Sequence, residues 1–94
     1  MYNVQWIRAC DNGDISTMEA MLKQGHDVNE RGPENRTAIM FAGVTGNMAM
    51  AKLVVSYGAD PFMTDARGRT ARMYAERMGK TEVAEYLKDA EEGK

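Results

Sequence analysis

The segment Gly79-Lys80-Thr81 has the ending of a phosphate-binding loop, whose backbone amides and lysine cradle phosphate oxygens. That loop requires a glycine five positions before the second one, and Tyr74 stands there, so the match is incomplete. His26 is the sole histidine, with Asp27 beside it and no cysteine or second histidine at ligand spacing; no metal site is expected. The acid pairs Glu82 with Glu85 and Glu91 with Glu92 could share a proton, but solvated helix faces produce such pairs routinely. Ser16, Ser56 and Cys10 have no evident base, because the one imidazole would have to serve any of them. No catalytic residue, no cofactor and no enzymatic activity is therefore expected. Asn35-Arg36-Thr37 fits a glycosylation acceptor, yet the N-terminus shows no basic segment followed by an apolar one, so modification is not expected. The chemistry left is recognition. Arg67, Arg69, Arg72 and Arg77 fall within eleven residues, and a guanidinium offers a planar fork of donors suited to carboxylates.

These arginines stand out because the chain as a whole is acidic, with 12 Lys and Arg against 14 Asp and Glu. A net charge of −2 argues against general nucleic-acid binding, which rests on excess positive charge. Ninety-four residues bound the chain to one domain. No stretch approaches the apolar length of a membrane helix, and the expectation is an intracellular, cytoplasmic protein. Cys10, next to Ala9 in an apolar turn, is expected to be a small core filler. Met18, Met21 and Met50, among nine methionines, are expected in the core.

The sequence matches itself at an offset of 33: Thr37 recurs as Thr70, Ala38 as Ala71, Met40 as Met73, Ala42 as Ala75 and Gly46 as Gly79. Backwards, Ala42 maps to Ala9, Gly46 to Gly13, Gly58 to Gly25 and Asp60 to Asp27. Three copies fill the chain as one domain over 1–94, the first at about 1–31, the second at about 32–64 and the third at about 65–94. In the middle copy Thr37 can cap a short helix carrying Ile39, Phe41 and Ala42, and Gly46 can end it in the left-handed region. Asn47 offers a second cap, and Met50, Leu53 and Val54 recur at helical spacing until Gly58. Asp65-Ala66-Arg67-Gly68 has the residues of a type I turn. In the first copy Ser16 and Glu19 have capping-box spacing and place the second helix start near Asp14 to Ser16. The unit is helix, tight turn, helix, hairpin-like loop.

The 33-residue period, Arg36-Thr-Ala-Ile-Met-Phe-Ala42, the internal glycine and Gly58-Ala59-Asp60 are similar to ankyrin repeats over nearly the whole chain. The resemblance implies an all-α solenoid of stacked helix-turn-helix units joined by β-hairpin-like loops. The family's Thr-Pro-Leu-His opening is here Thr37-Ala38-Ile39-Met40 and Thr70-Ala71-Arg72-Met73, so methionine packing replaces a histidine hydrogen bond. Terminal repeats need polar outer faces. Arg72 and Lys88 stand where Ile39 and Val55 stood, which makes the third copy a C-terminal cap, and the acidic tail from Asp89 to Glu92 is expected to fray. The first copy is the N-terminal cap, with Trp6 at the buried position of Ile39.

The resemblance further implies that partners contact the hairpin tips and the groove side of each first helix. That surface comprises Arg36, Met40, Val44, Arg67, Arg69, Met73, Arg77 and Met78, with Arg31, Glu34 and Thr45 beside them. The expected function is a protein-protein interaction module, an adaptor, inhibitor or targeting subunit, that holds an acidic or amphipathic segment of another protein. Self-assembly, or the capping of a larger stack through surfaces around Trp6, Ile7 and Tyr86, is the alternative. Neither a nucleic acid nor a membrane is expected as partner.

Overall fold

A computed structural model describes residues 1–94. Helices α1 (Val4–Asn12), α2 (Ile15–Lys23), α3 (Ala38–Thr45), α4 (Met48–Ser56), α5 (Ala71–Arg77) and α6 (Thr81–Glu91) form three helix-turn-helix pairs, with a 3₁₀ turn at Pro33–Asn35 and no strand. Each pair lies against the next: α1, α3 and α5 form one layer and α2, α4 and α6 the other. No helix is long and apolar enough to cross a membrane.

Local chemistry explains the boundaries. Asn47 Oδ1 accepts the Met50 amide at 3.0 Å and starts α4, and Gly46, at φ 72°, ends α3 where a side chain would be strained. Asn3 Oδ1 does the same for α1 by accepting the Trp6 amide at 3.0 Å. The start of α2 differs from the capping-box expectation. Its cap is Asp14, whose carboxylate takes the Thr17 amide at 3.2 Å and the Thr17 hydroxyl at 2.7 Å, while Ser16 lies inside the first turn. The Thr17 hydroxyl, then its amide, hold the Asp14 carboxyl below the ordinary range. Thr70 caps α5 through a hydroxyl that accepts the Met73 amide at 3.2 Å, but Thr37 does not cap α3 in that way. Its hydroxyl is buried without a partner, and only its carbonyl accepts, from the Met40 amide at 3.0 Å and the Phe41 amide at 3.3 Å.

The core runs through the stack from Trp6 and Met18 in the first pair, through Ile39, Met40, Met50 and Val54, to Val83 and Leu87 in the last. Two helices come close together at Gly43. A Cβ there would stand 2.4 Å from the Ala71 carbonyl oxygen, so the absence of a side chain sets how closely α3 and α5 approach. The acidic tail is helical as far as Glu91. Helix α6 continues through Glu91 because Arg72 Nε, on α5, reaches both Glu91 carboxylate oxygens at 3.1 Å.

At the other end, the Asn3 amide donates to the Glu30 carboxylate, Glu30 lies 2.7 Å from His26 Nε2, and the His26 ring lies 4.6 Å from that of Trp6. These contacts tie α1 to the loop that follows α2. Cys10 is fully buried beneath them, and burial first, then the Glu30 charge, pushes its thiol up to about 12. A thiol-directed chromogenic disulfide should modify Cys10 only slowly in the native protein at pH 8, through openings of α1, and react rapidly and stoichiometrically once urea unfolds it. Rapid native labelling would show that α1 opens readily.

Candidate functional site

The surface that the repeat exposes begins with its two turns. Backbone bonds from Gly32 N to Arg36 O (2.8 Å) and from Asp65 N to Arg69 O (3.1 Å) close them 33 residues apart. At the equivalent tip positions Asn35 has φ 60° and Gly68 has φ 76°; asparagine tolerates this left-handed conformation better than most residues with a side chain. The turns are also fastened to one another. The Ala66 amide donates to Glu34 O at 2.9 Å, and Arg31 Nη1 donates to Thr64 O at 2.7 Å and to Asn35 O at 2.9 Å. One level down, Asn29 Oδ1 accepts the Asp60 amide at 2.9 Å. Arg31 is therefore a strut between turns, with its guanidinium already engaged.

Beneath the second turn lies a buried carboxylate. Asp65 Oδ1 accepts the amides of Arg67 (3.0 Å) and Arg69 (3.1 Å), and Oδ2 accepts the Tyr74 hydroxyl. Arg36 Nε stands 3.8 Å from Oδ2, and the guanidinium carbons of Arg36 and Arg69 lie 5.2 and 5.7 Å from the Tyr74 ring centroid. Burial opposes the charge on Asp65, but the Tyr74 hydroxyl, the two amides and the Arg36 charge outweigh it and hold the carboxyl below its ordinary value. The Tyr74 hydroxyl, accepting from Arg36 Nη2 at 3.4 Å, in turn holds the Arg36 guanidinium more firmly protonated.

The arginines that sequence spacing grouped together thus divide. Arg36 and Arg69, both half-buried, pack against Tyr74, and Arg72 is paired with Glu91 and, at 3.5 Å, with Glu76. Arg67 and Arg77 are exposed, and no carboxylate lies within ion-pair distance of either. The methionines divide as well. Met73 (47% exposed) on α5 and Met78 (52%) at its C-terminal cap are open, but Met40 is fully buried and cannot offer its side chain to a partner. The cause is position in the stack: Met40 and Met73 are the same repeat position, and a following repeat covers only the first. Val44 is half-buried, and the Thr45 hydroxyl is turned back to Phe41 O at 2.8 Å. Trp6 is fully buried and adds nothing to an end surface.

One recess was missed from sequence. Tyr2, Val4, Ile7 and Phe41, with Arg8, Asp11, Pro33, Glu34 and Arg36, line an open cleft of about 410 Å³ between α1, α3 and the first turn. Phe41 shares the repeat position of Tyr74 but is less buried, and nothing in the sequence distinguishes the two positions. The Gly79-Lys80-Thr81 segment forms a turn: Gly79 has φ 70°, and the Lys80 stem lies along Gly46, its Cδ 2.7 Å from where a Cβ would be. No three His, Cys, Asp or Glu side chains converge to hold a metal ion.

A family model described as ankyrin repeats matches residues 6–93 in three copies. An ankyrin repeat protein of Acanthamoeba polyphaga mimivirus is 36% identical over 59 residues, which cover 63% of this chain and 36% of that protein. An ARF GTPase-activating protein of Homo sapiens is 38% identical over 76 residues, covering 80% of this chain and 10% of the relative. The protein HOS4 of Saccharomyces cerevisiae is 39% identical over 67 residues, 70% of this chain and 6% of HOS4. The chain thus spans about a third or less of the length of these relatives.

Proposed function

The chain belongs to the ankyrin-repeat family, whose repeats mediate contacts between proteins, and on that premise we propose that it holds an acidic or amphipathic segment of another protein as an adaptor, inhibitor or targeting subunit in the cytoplasm. The observation that carries this reading is the open surface of the third repeat. Arg67 and Arg77 are exposed without counter-charges, and Met73 on α5 and Met78 at its C-terminal cap supply apolar area. Unpaired guanidinium groups draw carboxylates, and flexible thioethers adapt to varied apolar side chains. Arg69 extends the charge, Arg36 and Val44 border the surface on the second repeat, and Met40 contributes only from beneath.

The test is a pull-down from cell extract with the wild type and an Arg67→Glu, Arg69→Glu, Arg77→Glu variant that circular dichroism shows to be folded. A double variant that spares Arg69 separates charge from its packing on Tyr74. Both variants should lose a specific co-purifying protein at least tenfold. Unchanged recovery would overturn the arginine surface and direct attention to the cleft at Tyr2, Val4 and Phe41. If neither wild type nor variant retains a protein, and mass rises with concentration, self-association is the better reading.

A further inference from the structure

Comparing equivalent positions 33 residues apart shows what the exposed end of the stack can accept. In the helical layer, α5 approaches α3 because Gly43 has no Cβ, with only 2.4 Å between a Cβ there and Ala71 O. The equivalent residue on α5 is Glu76, whose side chain is 56% exposed. A helix on α5 could not come as close as α5 comes to α3, and would pack more loosely, as α3 does on α1, where Cys10 holds this position. In the loop below, Asn29 accepts the Asp60 amide of the next repeat, whereas its counterpart Phe62 has no acceptor and is exposed. The turn layer is different. Glu34 O receives the Ala66 amide of the next turn, and the counterpart acceptor, Arg67 O, has no donor. On α5, Met73 is uncovered where its counterpart Met40 is enclosed.

From this contrast we infer that the partner is bound as an extended acidic segment that adds along the outer edge of the turn Asp65–Arg69. One of its backbone N–H groups donates to Arg67 O as Ala66 donates to Glu34 O. An apolar side chain of the segment covers Met73, and its carboxylates meet the Arg67 and Arg77 guanidiniums, which have no counter-charge of their own. Pairing with an exposed edge supplies affinity through the main chain and leaves specificity to side chains. The inference rests on the interaction reading above and adds the conformation and polarity of the partner.

The experiment selects peptides from a phage-displayed random heptapeptide library on the whole 94-residue chain, then remakes the strongest binder with single N-methylated amides. The expected peptides are acidic with one large apolar residue. They lose binding to the Arg67→Glu, Arg77→Glu variant, lose at least tenfold in affinity on methylation of one particular amide, and shift the Gly68 amide and Met73 methyl resonances. Acidic peptides that depend on the arginines but tolerate every methylation, or that shift other residues, would overturn the edge-pairing inference and leave the interaction reading standing. Selection of no acidic peptide would overturn both.

Discussion

Replacing Gly43 by valine should leave the chain largely unfolded at 37 °C, and replacing it by alanine should lower the urea midpoint although alanine is the better helix former. Alanine in a helix interior gains about 1 kcal/mol over glycine. Against that gain, the new Cβ would meet the Ala71 carbonyl oxygen at 2.4 Å. The obstacle is backbone, so it cannot turn aside as a flexible side chain would. Separating α3 from α5 enough to relieve it loosens the packing around Ile39, Ala71 and Ala75, and overpacking of this kind costs about 1–3 kcal/mol. For alanine the clash exceeds the propensity gain by up to about 2 kcal/mol; for valine the added methyls and lower helix propensity make the loss larger. A single small domain has only a few kcal/mol of stability to lose. Urea unfolding followed by the single tryptophan measures both variants, and a midpoint for the alanine variant at or above wild type would show that the helices separate without penalty.

The second large effect belongs to Asp65. Converting it to alanine removes the acceptor from two backbone amides and the Tyr74 hydroxyl and leaves the Arg36 guanidinium without its nearest buried charge. The expected loss is about 2–4 kcal/mol at pH 7, since unsatisfied buried donors cost about 1–3 kcal/mol and loss of a charge partner adds to that. The pH dependence has a definite sign. The folded carboxyl is held below its unfolded value, so the stabilisation is fully present above the ordinary carboxylate range and is lost as pH falls through the folded value. Urea midpoints of wild type and Asp65→Asn should therefore lie far apart at pH 7 and converge below about pH 4, near the ordinary Asp value. A constant separation at all pH values would show that shape, and not charge, is what Asp65 contributes.

The fold was legible because each repeat writes its own punctuation. Asn47 and Gly46 act through hydrogen bonds and dihedral angles local to a few residues, and the 33-residue recurrence of Ala42 and Gly46 declares the stacking. Contacts that cross repeats were not legible. Nothing near Arg72 in sequence announces Glu91, and nothing near Arg36 announces Tyr74 or Asp65, so the arginines were counted as one patch when several were already engaged. Met40 and Met73 are identical in type and repeat position, and only the presence of a neighbour on the following side separates a core residue from a surface one. The shift of the α2 cap from Ser16 to Asp14 arises because either side chain could serve, and the turn at Gly13 brings Asp14 to the helix end first.

The unequal fastening of the three repeats has a dynamic consequence. Helix α3 is joined to α5 along a close backbone contact, whereas α1 meets α3 more lightly and is held from the side by Asn3, Glu30, His26 and Trp6. In a linear array, cooperativity is set by nearest-neighbour coupling. The second and third repeats should behave as one foldon, and the first should detach in sub-global openings that cost less than complete unfolding. Each such excursion would bare Trp6 and Cys10 together and dismantle the wall of the cleft formed by Tyr2, Val4 and Ile7, so that recess exists only for as long as the leading repeat stays docked.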